Sequence, residues 1–490
     1  MTAPPPAGRR EKNLTLAVVC SALFLALLDS TVISLALPTV QRDLGAEVTD
    51  LQWIVDGYIL LYAALLLTGG TLGDRFGRRQ VFLAGMAVFT AGSVLCALSG
   101  SVAELTAGRA VQGVGAAAVT PQTLAILAQV FPGERERARA FGTWSAVSGL
   151  ALLLGPVAGG AFAELLGWQS VFLLNVPIGL LALAAGRRLP ACTAARTRRP
   201  LDPAGQLLVV TWLAPLTYGL VEGPRAGWRD PAVLTALALG AVAFAALLLV
   251  ERRSRHPMLR LDLFRSRTFC GSTSVTFLVA FGLNAGFLLL SLLLQSLGGA
   301  EPSAAGLRLL PAMAAIVLAA AVAGRVSGRL GPRPPVVLGT ALAGTSLLLL
   351  SVFAVGERYA LWWPLLALMG LGVGMVMSPN NAALVGSAPA DAAGQAASMG
   401  GAAQQVGALL GVASLGIVLT GTAFTGATGA AHGASAPEGP GREALAVGIE
   451  HGLLLAGACY LAAAVLAALL VRPERPGARQ SAGGRRAVQR

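Results

Sequence analysis

Residues 51–99 read LQWIVDGYILLYAALLLTGGTLGDRFGRRQVFLAGMAVFTAGSVLCALS. Two apolar runs, 51–72 and 80–99, flank a short turn in which Asp74, Arg75, Arg78 and Arg79 sit among glycines. A helix of about 20 apolar residues is long enough to cross a hydrocarbon core of roughly 30 Å. Water is absent from that core, so the crossing backbone must satisfy its own hydrogen bonds, and helices do so within one segment. The turn is too short for anything but antiparallel neighbours.

The same pattern repeats along the chain. The remaining apolar runs fall at 14–37, 102–130, 140–163, 170–186, 204–222, 232–250, 269–293, 304–327, 335–355, 361–386, 394–420 and 445–471. Of the 490 residues, 55% are hydrophobic and 12% charged, against about 25% charged in soluble proteins. The fold class that follows is an all-α integral membrane protein of about 14 transmembrane helices. The first run follows a basic tail as a secretory signal would, but it lacks an A-x-A cleavage site and contains Asp29. It reads as a retained helix.

The net charge of +13 sets topology and does not point to nucleic acid. Lys12 is the sole lysine, and the basic residues crowd into alternate gaps: the N-terminal tail, Arg75–Arg79, Arg135–Arg139, Arg187–Arg199, Arg252–Arg267, Arg325–Arg333 and Arg472–Arg490. The intervening gaps hold only Arg42, Arg225, Arg229, Arg308, Arg358 and Arg442. Basic residues accumulate on the cytoplasmic side. A multi-pass protein of the plasma (inner) membrane with both termini cytoplasmic is therefore expected. The 5 cysteines show no ligand spacing, and no disulfide framework is implied.

Domain organisation follows from the gaps. Residues 1–186 form an N-terminal six-helix bundle, and 187–268 hold a cytoplasmic linker with two extra central helices. Residues 269–490 form a pseudo-symmetric C-terminal six-helix bundle with a long external loop at 421–444. A faint internal repeat supports two halves. Gly113-Val114-Gly115 before Thr120-Pro121 resembles Gly372-Val373-Gly374 before Ser378-Pro379, and 70–79 is echoed by 324–333. Parallel halves of this kind place a substrate site between them.

Several chemistries are excluded. A phosphate-binding Walker A loop needs Gly-Lys-Ser/Thr, and the only lysine follows Glu11. His256, His432 and His451 form no paired metal site. An enzyme is not expected, and neither a cofactor nor a metal is implied.

Gly70-x-Leu72-Gly73-Asp74-Arg75-x-Gly77-Arg78-Arg79 resembles the signature loop of the major facilitator superfamily. Its glycines permit the tight turn, and its charges can lock or release helix ends. The resemblance implies that Gly70, Asp74, Gly77 and Arg78 form a conformational latch, with a solvated positive-inside turn as the alternative. Gly328 stands where the second copy would carry the aspartate, so only the first latch is expected to work fully. Arg109-x-x-Gln112-Gly113 resembles the family's buried-arginine motif, and Gly155-Pro156-x-x-Gly159-Gly160 its antiporter motif. With Leu28-Asp29-Ser30-Thr31-Val32 and Phe172-Leu173-Leu174-Asn175-Val176-Pro177-Ile178-Gly179, the chain resembles the 14-helix drug:proton antiporters. Trp53-Ile54-Val55-Asp56-Gly57-Tyr58 and Glu222-Gly223-Pro224 resemble actinomycete antibiotic exporters of the methylenomycin A and cephamycin type.

Ionisable residues inside membrane spans are functional candidates by default. Helix rise places Asp29 about 12 Å, Asp56 about 8 Å and Arg109 about 10 Å from the outer ends of their helices. They are candidates for proton coupling, with a structural ion pair or solvated vestibule as the alternative. Glu104, Glu164 and Glu222 lie at outer helix ends and read as solvated. Gln112, Asn284, Gln404 and Gln405, with Gln295, Asn380 and Asn381, either line a substrate cavity or tie helices together.

The expected function is export of small drug-like molecules in exchange for protons, by a monomer whose partners are substrate, protons and lipid. An uptake carrier or facilitator is the alternative, disfavoured by Gly155-Pro156; a membrane enzyme or receptor lacks any supporting constellation.

Overall fold

A computed structural model describes residues 9–131, 133–190, 202–254, 260–353, 359–389, 393–420 and 440–471. Most of the 421–444 loop, the basic stretch 191–201 and both extreme termini therefore lie outside the described residues. Among those described, every regular element is helical.

The chain opens with α1 (Arg9–Leu44), α2 (Val48–Phe76), α3 (Arg78–Leu98), α4 (Val102–Val130) and α5 (Glu134–Leu166). Next come α6 (Gln169–Leu173) and α7 (Asn175–Gly186), then the pair α8 (Pro203–Ala226) and α9 (Pro231–Arg253). A short 3₁₀ turn, Leu261–Arg265, leads into α10 (Arg267–Leu292), which a π turn at Leu293–Leu297 extends. The remainder is α11 (Pro302–Leu330), α12 (Arg333–Phe353), α13 (Tyr359–Gly386), α14 (Ala393–Ala413), α15 (Leu415–Thr420) and α16 (Pro440–Leu470). Counting α6–α7 and α14–α15 as one crossing each, 14 are long and apolar enough to span a membrane. That number matches the sequence expectation.

Two expected helices are broken. The run 170–186 divides at Leu174 because Pro177 has no N–H to give the carbonyl of Leu173. The run 394–420 divides at Ser414, whose Oγ donates to Gly411 O at 3.1 Å; such back-bonding bends helices. Starts are also well specified locally. Asp202 caps α8 by accepting from Gly205 N at 2.8 Å, and Asp230 caps α9 by accepting from Ala232 N at 2.8 Å. Each is followed by a proline at the first helical position, where its missing N–H is harmless.

Both copies of the internal repeat turn on a glycine in the left-handed region, Gly77 at φ 100° and Gly331 at φ 79°. Arg79 then donates to Arg187 O at the end of α7, and Arg333 donates to Ala468 O near the end of α16. The register of the glycine repeat differs from the one read in sequence. Gly113 packs on α2 at Tyr58 O and Gly115 on α3 at Phe89. Their counterparts by packing are Gly370, on α11 at Ala312 O, and Gly372, on α12 at Gly339 O. The sequence pairing with Gly372 and Gly374 is two residues off, because runs of alternating glycines align equally well in either register.

Contacts divide the chain into two compact units. One comprises Met1–Leu259, Asn284–Leu310 and Ala408–Gly452; the other comprises Arg260–Leu283, Pro311–Gly407 and Leu453–Arg490.

Candidate functional site

Within the first unit, α1 runs away from the N terminus, so its far end defines a distal side. Asp29 on α1 and Arg109 on α4 meet towards that side. Arg109 Nη1 lies 2.5 Å from Asp29 Oδ2, with the side chains 1% and 0% exposed. The same Nη1 donates to Gln112 Oε1 at 3.0 Å, and Nε donates to Ile54 O at 3.2 Å. The guanidinium also stands 4.4 Å from the centre of the Tyr58 ring, a favourable cation–π arrangement.

The carboxylate is equally occupied. Asp29 Oδ1 accepts from Asn175 Nδ2 at 2.7 Å and from Gln112 Nε2 at 3.1 Å. Gln112 Nε2 reaches Ser93 Oγ at 2.8 Å as well. Five helices thus converge on one buried ion pair. Such a pair depends on further hydrogen bonds to its remaining lone pairs and protons, and here both Asp29 oxygens and Arg109 Nε and Nη1 have partners. Gln112 is therefore part of this network rather than a free amide in a cavity. Asn175 enters the sequence reading only as part of the Phe172–Gly179 motif, whose Asn-Val-Pro marks the break between α6 and α7.

Asp56 on α2 stands apart from this cluster. It is 0% exposed, yet neither carboxylate oxygen has a hydrogen-bond partner. Arg109 is committed elsewhere, so the three intramembrane charges do not form one cluster.

At the opposite end of α2, Arg78 Nη2 lies 3.2 Å from Asp74 Oδ1, and Nη1 donates to Ala125 O on α4 at 2.9 Å. The arginine thereby ties the α2–α3 turn to a carbonyl of α4. Gly73 allows Gln122 to lie flat on α2, and Gln122 Nε2 donates to Gly69 O at 2.8 Å. Gly70 faces only Pro121, at ordinary contact distance, so its packing role is slight.

The Gly-Pro motif of α5 lies between α1 and the start of α11. Gly155 abuts Thr31, and a side chain at Gly159 would meet Val32 O at 2.7 Å. On the other side Gly160 abuts Pro302 O, and Gly306 abuts Pro156 O. Nearby, Ser303 N donates to Glu164 Oε2 at 3.1 Å. Ser291 Oγ donates to Ser34 O at 2.7 Å, and Gln295 Nε2 to Leu35 O at 3.3 Å. Gln52 Nε2 reaches Val412 O at 2.9 Å. Together these contacts close the distal ends of α1, α2 and α5 against those of α10, α11 and α14.

The other polar candidates divide. Asn380 Nδ2 donates to Ser272 O at 3.0 Å and Thr276 Oγ1 at 2.9 Å, so it ties α13 to α10. Gln295 is likewise a tie. Asn284 and Gln405 are half-buried, while Asn381 and Gln404 are exposed.

The Major Facilitator Superfamily matches residues 19–412. The tetracenomycin C resistance and export protein of Streptomyces glaucescens is 37% identical, over 85% of this chain and 77% of that protein. The methylenomycin A resistance protein of Streptomyces coelicolor is 37% identical, over 85% of this chain and 88% of that protein. The puromycin resistance protein of Streptomyces alboniger is 37% identical over 93% and 90%. Among solved structures, a sulfate complex of the peptide transporter POT superposes with a TM-score of 0.65 at 19% identity, covering 96% of this chain and 98% of that one. That likeness concerns the fold alone.

Proposed function

The chain belongs to the major facilitator superfamily, and on that footing we propose that it exports small antibiotic-like molecules from the cytoplasm in exchange for protons. It does so from the plasma membrane as a monomer, with both termini in the cytoplasm and the distal side outside. The residues 1–186 and 269–490 act as two six-helix halves that rock about a substrate site.

The observation that carries the reading is the contrast between two acids. Asp29 accepts from Arg109, Asn175 and Gln112, so both of its oxygens are matched by donors. Asp56 is sealed with nothing to compensate a charge. An uncompensated buried carboxylate is strongly disfavoured, so the proton-bearing acid suits that setting. Asp56 is then the group that carries the proton, and Asp29 with Arg109 is the fixed charge around which α1, α2 and α4 are organised.

Outward release requires α5 to part from Pro302–Gly306 and α2 to part from α14. Asp56 lies about one turn along α2 from Gln52, whose bond to Val412 O must break on opening, so opening gives it access to external protons. Re-closure then favours the protonated form. The cycle therefore takes up a proton from outside and gives it up inside. Asp74 and Arg78 act as the latch that holds α2–α3 to α4 during this motion.

Expression in a pump-deficient bacterium tests the reading. Resistance to tetracenomycin C, methylenomycin A, puromycin or a dye should rise several-fold, and Asp56→Asn should remove it while leaving membrane levels unchanged. No resistance to any compound of a broad antibiotic panel would count against export.

A further inference from the structure

The paired helices α8 and α9 have no part in the cycle just described. α8 runs antiparallel to α2 and is fastened to it at two levels. Towards the cytoplasmic side, Gln206 Nε2 donates to Ala64 O at 2.9 Å and Gln206 Oε1 accepts from Thr68 Oγ1. Towards the outside, Trp53 Nε1 donates to Glu222 Oε1 at 3.0 Å, and the Trp53 ring stands 6.3 Å from Tyr218. With about 1.5 Å of rise per residue, these fastenings bring Thr217 level with Asp56 to within about one turn. Thr217 lies about three turns beyond Gln206 on the same helical stripe, so it projects towards α2.

The Thr217 hydroxyl is wholly buried and, like both oxygens of Asp56, has no hydrogen-bond partner. Above them the Glu222 side chain is 18% exposed and lies 3.9 Å from Arg225, which in turn pairs with Glu47 at 3.3 Å. Glu222, Thr217 and Asp56 thus follow one another in depth along the α2–α8 pair. The charged groups at this end of α2, α8 and α9 are Glu47 just before α2, Asp50 of α2, Glu222 and Arg225 of α8, and Arg229 and Asp230 in the α8–α9 turn. The helices α14 and α15 bring no ionisable residue, and Arg109 of α4 is held by Asp29.

We propose that Glu222 is the entry relay that passes external protons to Asp56, which makes the added helix pair part of the coupling apparatus. The proposal rests on the reading of Asp56 as the proton carrier. Glu222 takes a proton from outer water and gives it up towards the Thr217 hydroxyl, bridged by one water across about 7 Å of helix rise. The hydroxyl passes its own proton, through a second water, to the Asp56 carboxylate as it receives the incoming one, since the two groups share no direct hydrogen bond. Glu222 is left ionised beside Arg225, ready for the next proton.

The test needs no substrate. The protein is reconstituted in lipid vesicles, the external pH is dropped, and the carboxylic-acid carbonyl stretch is followed by time-resolved infrared spectroscopy. A band absent from Asp56→Asn identifies that acid. Glu222→Gln keeps the oxygen that accepts from Trp53 and loses only the titrating group. It should reach the same final Asp56 band at least ten times more slowly. Trp53→Phe severs the hydrogen bond but keeps the acid, and should show the wild-type rate. A wild-type rate in Glu222→Gln overturns the relay, as does an equal slowing in Trp53→Phe, which would make packing the cause. Absence of any Asp56-dependent band would instead bring down the underlying assignment of Asp56.

Discussion

Arg109 Nη1 stands 2.5 Å from Asp29 Oδ2, and neither side chain reaches solvent. Removing either partner strands the other charge in the bundle. Arg109→Ala and Asp29→Asn should each cost about 3–5 kcal/mol of stability, read as a large fall in melting temperature in detergent. The double variant Asp29→Asn/Arg109→Gln leaves no net charge and should recover much of the loss. Arg109→Lys should not rescue, because an ammonium cannot serve Asp29, Gln112 and Ile54 O from one planar fork. Single variants that melt like the wild type would deny the pair its structural role.

The proposed latch should behave in the opposite way. The Asp74–Arg78 pair is partly exposed, at 41% and 22%, and such pairs contribute about 0.2–1 kcal/mol. Asp74→Asn or Arg78→Ala should therefore leave melting and substrate affinity nearly unchanged while slowing transport strongly. Equilibrium binding and initial efflux rates on the same preparations check this. Full transport in both variants would leave only the topological role of the turn.

Closure of the distal side, the outer one in the proposed topology, depends on backbones that touch. At Gly160 and Gly306 a side chain would collide with the carbonyls of Pro302 and Pro156, and a backbone atom cannot swing aside as a flexible side chain can. Gly160→Val or Gly306→Val should hold the outer side open. In a background without the 5 native cysteines, labelling of Ser34→Cys by an impermeant maleimide should rise several-fold. Unchanged labelling would place the closure elsewhere.

Topology has its own check. Reporter fusions at either terminus should report cytoplasm, and one inserted within 421–444 should report the exterior. A periplasmic C-terminal tail would mean an odd number of crossings.

Position along each helix was legible in the sequence and direction around it was not. Counting residues from helix ends sets Asp29, Asp56 and Arg109 at similar distances from the ends, but their distribution around the helix axes decides their partners. Arg109 turns to Asp29, while Asp56 shares no hydrogen bond with it. The apolar runs, the basic clusters and the Gly-Pro motif carried the fold because hydropathy and glycine act locally. Asn175, on a helix far along the chain, joins Asp29 only through packing, and no local pattern announces that pairing. Glu222 read as a solvated helix end because its partner, Trp53, lies on a helix distant in sequence.

In the proposed cycle the coupling of protons to export rests on Asp56, and proteoliposomes give the most direct measurement. The chain is reconstituted with the compound that the resistance screen selects, and proton movement and drug movement are recorded together across an imposed pH gradient. The wild type should exchange one for the other. Asp56→Asn should abolish gradient-driven efflux while still exchanging labelled drug across the membrane without a gradient. If Asp29→Asn/Asp56→Asn still trades protons for drug at the wild-type rate, the coupling group lies elsewhere and both carboxylates are structural.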